Sequence, residues 1–491
     1  MKPLYVLLIF ALVLILSGMD RGFDISDEGL YALLAHPEQE NQAGIFNYDL
    51  FFKAIFEFTG LHFGLIELRF IRLLLYGLGA WALATFLKNI SGNKEIQRQD
   101  LLIALFGLFA GYAFLPHSLS YNHLTVVLTG FCLALVSGNL NKTKILLGLG
   151  LVLSLLIYVK ITTAIILFLV SLGLIHWRHQ WNLRLMLVFV PFLMLELFFF
   201  FRVGTTASQR LWDGIGMIQG RSDYALWTLA KINLVGMYWI GLSFLGSFLI
   251  SKWMPYLWLK VLAWILWTAV LAWFTHITEE WNHVVLLGSI PFWVLLLTHA
   301  RVKFRHHPSR LWLLLLGMLP FLLHLGSNVY WLRLGIQYWV FWLLALWLMA
   351  REIKHFPVEK WMLGLGLLSS WLIFTGIWWM PFGQAPLWET RISWEYLPGK
   401  SIKLKTAQVQ KLRELEKNAE IQSSPQILAA YRISGIPLLL GKTMPKSPGF
   451  WDQDQLKAFF PDSLPSIPLI YHPFSELPYP QSQTPILLTE F

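Results

Sequence analysis

Asp24, Asp27 and Glu28 crowd into five positions of the phrase Asp24-Ile-Ser-Asp27-Glu28-Gly-Leu-Tyr31, directly after the first apolar segment. A carboxylate at a membrane boundary can take a proton from a hydroxyl, or help hold a divalent cation such as Mg or Mn. The same acids can also be ordinary loop residues, with Ser26 or Asp27 capping a helix that opens at Glu28. Further charges fall in or beside apolar segments: Glu67, Arg69, Arg72, Lys160, Glu196, Arg202 and Lys231. Burying such a group costs roughly 2.5–3.5 kcal/mol on insertion scales, so each is expected to pair, to snorkel or to line a cavity. Arginine binds phosphate through two parallel hydrogen bonds and lysine as a point charge. Lys160, Arg72 and Arg69 could serve an anion in this way, or be satisfied within the membrane, for example by pairing of Glu67 with Arg69 or Arg72, or by snorkelling to headgroups. Two further loops carry Arg210, Asp213, Arg221 and Asp223, and His276, Glu279, Glu280 and His283. The second set admits a metal reading, although a short loop at headgroup level more often carries such residues for solubility.

The elements that must position these groups are apolar helices. The chain has 491 residues, 56% hydrophobic and 16% aromatic, with 25 Trp and only 13% charged. A soluble chain of this length needs far more polar surface. Apolar runs of about 17–25 residues recur up to residue 380 or so, each long enough to cross a bilayer. The fold class expected is an all-α polytopic membrane protein of about thirteen transmembrane helices. The spans fall near 4–19, 63–87, 101–117, 123–138, 145–159, 161–176, 185–203, 228–250, 257–275, 283–299, 311–325, 334–350 and 361–380. The 145–176 region reads as two short spans or one broken span. The first segment resembles a signal peptide in its charge and length. It lacks a small-x-small cleavage site before Met19-Asp20-Arg21, so it reads as a retained span.

Charge tests orientation. The formal net charge is +10. From Pro381 onward 11 Lys/Arg face 10 Asp/Glu, so the excess lies in the loops of the membrane part and does not indicate a nucleic-acid partner. Alternate loops hold Lys88, Lys94 and Arg98; Lys142 and Lys144; Arg178 and Arg184; Lys252; Arg301, Lys303, Arg305 and Arg310; Arg351, Lys354 and Lys360. The basic set belongs on the cytoplasmic side. The N-terminus is then inside. The C-terminus and the 20–62 loop with its acids are outside. Within that loop, Phe51, Phe52, Ile55 and Phe56 could share one face of an interfacial helix, or pack as a connector.

After Pro381 prolines become frequent and apolar runs shorten. Thr406–Ala419 reads as a polar amphipathic helix and Gln426–Tyr431 as a short buried strand or helix. The division expected is a membrane domain over 1–380 and a small α/β domain over 381–491, outside the membrane. Cys132 is the only cysteine, so an internal disulfide and a cysteine-based metal site are excluded. There is no P-loop, dinucleotide fingerprint or His-Glu-x-x-His, and no nucleotide-driven chemistry is indicated.

Asp27-Glu28-x-x-Tyr31, just after the first span, resembles the first-loop motif of the GT-C membrane glycosyltransferases. These include the protein O-mannosyltransferases of glycosyltransferase family 39 and the bacterial transferases that add aminoarabinose to lipid A. Ser120-Tyr121-Asn122-His123, Tyr158-Val-Lys160-Ile-Thr162-Thr163 and His324-Leu-Gly326-Ser327-Asn328 resemble further short segments of that family. The resemblance implies a sugar donor carried on a polyprenyl phosphate and an acceptor that is a glycan, a lipid or a protein. It implies a bacterial inner membrane, with membrane lipids as surroundings. It places Asp27 as the catalytic acid of the loop, supported by Glu28, and Asp24, Tyr31, Tyr121, Asn122, His324 and Asn328 about the substrate. Gly29 and Leu30, after Glu28, depart from the family's usual residues there.

The mechanism this implies is a single inverting displacement through an oxocarbenium-like transition state, with Lys160, Arg72 and Arg69 as the fixed cations on the departing donor phosphate. Two alternatives are a transporter or flippase of lipid-linked sugars, since intramembrane charges serve transport equally well, and a catalytically silent scaffold. No inverted repeat of the transporter kind is visible.

Overall fold

A computed structural model describes residues 2–42, 46–178, 181–219, 225–299, 309–353, 355–479, 485–488 and 491. Arg221, Asp223, Arg301, Lys303, Arg305 and Lys354, used above to read loops and orientation, lie outside the described residues. The chain is mostly helical. It begins with α1 (Lys2–Ser17), then two helices of the first loop, α2 (Asp27–Leu34) and α3 (Asp49–Thr59). A helical body follows: α4 (Leu65–Ser91), α5 (Arg98–Phe109), α6 (Tyr121–Val136), α7 (Thr143–Val159), α8 (Ile161–Trp177) and α9 (Val190–Val203). It continues with α10 (Ala207–Gln219), α11 (Leu226–Trp253), α12 (Leu257–Thr275), α13 (His283–His299), α14 (Ser309–His324), the single turn α15 (Trp331–Leu334), α16 (Trp339–Ala350) and α17 (Val358–Ile373).

Most helices of the body are apolar on every side, as helices facing lipid on one side and protein on the other must be. Among the described residues, six helices or continuous helical stretches are long and apolar enough to cross a membrane: Leu65–Ser91, Leu183–Val203, Leu226–Trp253, Leu257–Thr275, Trp331–Ala350 and Val358–Trp379. These mark a membrane protein. Six more apolar helices are shorter, among them Pro3–Ser17 and Tyr121–Val136. The segment expected near 101–117 is a 12-residue helix, Arg98–Phe109, followed by a 3-10 turn. The 145–176 region is two helices broken at Lys160, whose extended backbone (φ −156°) joins α7 to α8.

Strands appear after residue 391. β1 (Ile392–Leu397) and β2 (Lys400–Leu404) form an antiparallel hairpin. The helices α18 (Thr406–Glu416) and α19 (Ala419–Ser423) lead to β3 (Leu428–Ala430), α20 (Gly435–Leu439) and α21 (Gln453–Phe459). β4 (Leu469–Tyr471) and β5 (Ile486–Leu487) complete a three-stranded parallel sheet in the order β3-β4-β5.

This region shares its core with the first loop. Phe23, Leu33, Tyr48, Leu65 and Leu68 are buried in one cluster with Ile402, Leu428, Tyr431 and Ile470. Backbone bonds tie the two together: Gly22 N–H donates to Lys403 O at 2.9 Å, Lys403 N–H to Asp20 O at 2.8 Å, and Gly435 N–H to Ile25 O at 2.7 Å. The apolar face expected on α3 is divided. Phe52 is buried in the shared core, while Ile55, Phe56 and Phe58 are exposed.

Candidate active site

The site begins with the cap of α2. Asp24 Oδ2 accepts from the Asp27 and Glu28 N–H groups at 2.8 and 3.0 Å, and Oδ1 accepts from Ser26 N–H and its hydroxyl at 3.2 and 2.8 Å. Asp24 therefore satisfies the free amides of the first turn, a task the sequence assigned to Ser26 or Asp27. Its carboxylate is turned into its own backbone and away from any substrate. Burial pushes Asp24 up to about 6, against the pull of the donors that surround it.

Glu28 has a second fixed task. It is fully buried and accepts two hydrogen bonds from Arg69, from Nε and Nη2, each 2.8 Å. Ser118 Oγ donates to the same carboxylate, and Glu28 Oε2 accepts from the Asp24 N–H. Burial alone would raise Glu28, but the Arg69 guanidinium beside it holds it below its ordinary value. Arg69 is equally occupied, donating to Met19 O, Arg21 O and Gly22 O. The pair locks the first loop to α4.

Asp27 is the acid left over. It sits one residue earlier on α2, so its side chain leaves the helix on a different face. It lines a cavity of about 510 Å³ between the ends of the membrane helices and the C-terminal region. The residue is part-exposed to the cavity, and among the described residues no group donates a hydrogen bond to its carboxylate. Burial, then the Asp24 charge, push Asp27 up to about 7, while Arg432 pulls the other way.

Several expected substrate residues meet in this cavity: Tyr31, Tyr121, Asn122 and Asn328 all line it. The Ser120–His123 phrase works as a helix start. Ser120 is the N-cap of α6 and its N–H donates to His123 Nδ1 at 3.2 Å, which leaves Tyr121 and Asn122 in the first turn at the cavity wall. Tyr121 stacks on Phe46 with centroids 4.4 Å apart and meets Tyr31 edge-on at 6.3 Å.

Other expected residues are elsewhere. Arg72 is buried beneath, donating to Pro116 O at 2.8 Å and Gly111 O at 3.0 Å, with its guanidinium 3.9 Å from the Tyr112 ring centroid. Lys160 donates to Leu323 O at 2.6 Å, and the Thr162 hydroxyl donates to Leu325 O at 3.1 Å. His324 Nε2 bonds Val329 O at 2.6 Å. The Lys160–Thr163 and His324–Asn328 phrases thus meet one another. Gly326 has φ +83°, and a Cβ there would lie 2.8 Å from Thr162 Cγ2. None of Lys160, Arg69, Arg72, Glu28, Asp24 and His324 lines the cavity. Their side chains build its walls. Glu67 pairs with Lys400, not with Arg69 or Arg72.

The cavity also contains residues the sequence did not single out. Arg333 comes from α15, and Arg432, Trp451 and Gln455 from the C-terminal region. Arg333 had one available signal, its position five residues beyond the Gly326-Ser327-Asn328 turn. Arg432 had none, because only the tertiary fold carries residue 432 to residue 27. As for metal, among the described residues no three His, Cys, Asp or Glu side chains are grouped to hold an ion, and His276, Glu279, Glu280 and His283 do not form such a group.

No family model matches the chain, and no curated protein is similar to it.

Proposed function

We propose that this protein is an integral membrane glycosyltransferase of the GT-C kind. It takes a sugar from a polyprenyl-phosphate donor and passes it to a glycan, lipid or protein hydroxyl outside a bacterial inner membrane. The carrying observation is the sorting of three adjacent acids. Asp24 caps a helix, Glu28 is consumed by Arg69, and Asp27 faces the cavity with no hydrogen-bond donor on its carboxylate among the described residues. A carboxylate lifted toward neutrality in this way is suited to a general base. The acceptor hydroxyl attacks the anomeric carbon and its proton passes to Asp27. The bond from that carbon to the phosphate oxygen breaks, and the phosphate departs with the electron pair. One displacement inverts the anomeric centre. Tyr31, Tyr121, Asn122 and Asn328, which line the same cavity, contact the sugar in this reading.

The six long and six shorter apolar helices, the latter including both arms of the break at Lys160, together with the helix at Arg98–Phe109, support a layout near thirteen spans. In that layout the N-terminus is cytoplasmic and the C-terminal region, with the cavity beneath it, is outside. No step is routed through Mg or Mn, because the acids of the first loop are committed elsewhere or stand alone.

The test is reconstitution in liposomes with labelled polyprenyl-phosphate sugars and envelope acceptors. Covalently attached label, lost in Asp27→Asn, is the expected result. Label that crosses the bilayer without becoming attached would mean a transporter. No attachment and no movement, with any donor, would leave the scaffold reading.

A further inference from the structure

The charges that line the cavity do not balance. Among the described residues they are Asp27, Arg333 and Arg432: two guanidiniums, one of them beside Glu280 outside the lining, and one acid held toward its neutral form. Two guanidiniums in a recess attract an anion, and arginine is the side chain best shaped for phosphate. The remaining wall is amphipathic. Phe114, Leu115, Ile232 and Leu334 come from the helical body, with the polar Asn122, Thr228 and Asn328 beside them, whereas Phe382, Arg432, Ser447, Trp451 and Gln455 come from the C-terminal region. An amphiphile fits such a wall, with its chain among the helix ends and its charged head toward the C-terminal region.

Backbone conformation singles out the same place. Among the described residues, five that are not glycine have positive φ: Leu115, His355, Tyr431, Arg432 and Lys446. Leu115 and Arg432 line the cavity, and Tyr431 and Lys446 each adjoin a lining residue. Left-handed backbone is unfavourable for side chains of this size and persists only where the surroundings impose it, which happens most often at ligand sites. The surroundings here are explicit. Tyr431 and Arg432 N–H groups both donate to Phe450 O, at 2.9 and 3.2 Å, and the Tyr431 hydroxyl donates to Glu476 O at 2.6 Å. The Arg432 guanidinium lies 4.2 Å from the Phe474 ring centroid. A strained two-residue kink thus holds a cationic side chain against the cavity from a region far away in sequence. From α15, Arg333 Nη2 donates to Thr278 O, which fixes that guanidinium; its buried Nε makes no hydrogen bond and lies 3.9 Å from Glu280 Oε1.

We infer that Arg333 and Arg432 form a two-sided clasp for the phosphate of a prenyl phosphate, so that the C-terminal region supplies part of the donor site. The clasp rests on the proposed function for its place in a reaction, but the binding it predicts can be measured without any transfer.

The experiment uses the full-length protein in nanodiscs and three probes: farnesyl phosphate, farnesol and inorganic phosphate. Wild type should bind farnesyl phosphate and bind farnesol much more weakly. Arg432→Gln and Arg333→Gln should each weaken farnesyl phosphate binding by about tenfold or more, as loss of a charged hydrogen bond to phosphate implies. Arg432→Lys should recover part of the loss, and farnesol binding should not change in any variant. An unchanged melting temperature in Arg432→Gln separates lost contact from lost fold. Competition by inorganic phosphate in the same range as farnesyl phosphate would mean that a free phosphate is the ligand and would overturn the prenyl assignment. Undiminished farnesyl phosphate binding in both glutamine variants, or none in wild type, would overturn the clasp. Arginine-dependent binding without transfer from any donor would leave the clasp standing and remove the transferase.

Discussion

Arg69 holds Glu28 by two parallel hydrogen bonds of 2.8 Å, and both side chains are removed from solvent. This relationship separates two adjacent acids that look equivalent in the sequence. Removing one member of a buried pair leaves the other as an uncompensated charge, at a cost of about 3–5 kcal/mol.

Asp27 and Glu28 should therefore fail in different ways. Asp27→Asn should fold normally and lose transfer by about 10²–10⁴-fold, the usual loss of a general base. Glu28→Gln should lower the melting temperature and yield, with activity falling alongside the folded fraction. A stable, inactive Glu28→Gln beside an active Asp27→Asn would reverse the assignment.

Asp27 moves from its ordinary 3.8 up to about 7. A base must be deprotonated to act, so transfer should rise with pH through about 7, with the slope of one proton. Stability has the opposite sign. A carboxyl whose folded value is raised favours the fold while protonated, and that contribution is lost as pH climbs through the folded value. Asp24, raised to about 6, acts in the same direction. Melting temperature should fall as pH climbs from about 4 to about 7 and level off above that, and Asp27→Asn should flatten part of that fall. A wild-type profile identical to that of the variant would argue against the shift.

Gly29 sits where α2 meets the start of α20. A Cβ on Gly29 would lie 2.2 Å from Gly435 N, and one on Gly435 would lie 2.4 Å from Phe23 Cε1. The obstacle at Gly29 is backbone, which cannot rotate away. Gly29→Ala should destabilise by about 1–3 kcal/mol through forced separation of the two segments. Protease cleavage in the 20–62 loop and after residue 390 should speed up together, because the two share a core.

Lys160 holds the turn that carries Asn328 and leads to Arg333. Lys160→Met keeps the aliphatic stem and strands Leu323 O. It should cost about 1–3 kcal/mol, the penalty of an unsatisfied buried polar group. Farnesyl phosphate affinity in the folded fraction should be close to wild type. A selective loss of phosphate binding at unchanged stability would return Lys160 to the phosphate.

Reporter fusions after Lys94 and after Glu395 should report opposite sides of the membrane, with the first cytoplasmic. The same compartment for both would refute the odd number of crossings and the placement of the cavity outside.

Composition and apolar run length alone were enough to establish the membrane character, because hydrocarbon tolerates few other chains. Local patterns also carried far. The helix at Thr406, the break at Lys160 and the buried segment at Ile427–Tyr431 follow from near neighbours in the chain. The Ser120–His123 phrase, singled out by resemblance, starts a helix and carries Tyr121 and Asn122 to the cavity. The division of labour among Asp24, Asp27 and Glu28 was not legible. It is decided by Arg69, 41 positions beyond Glu28, and by the geometry of a cap whose acid, Asp24, stands before both capping candidates, Ser26 and Asp27. The partners of the phosphate candidates were not legible for a related reason. An embedded arginine or lysine announces that it needs a partner, but it does not announce whether that partner is a ligand or a carbonyl of its own chain. Arg72 and Lys160 found carbonyls. Arg432 is unremarkable in sequence, and it reaches the cavity only because Gly29 and Gly435 let two distant backbones close to contact. Side-chain roles at this site are set by which long-range partner arrives first within hydrogen-bonding distance, and that is a property of the packed chain.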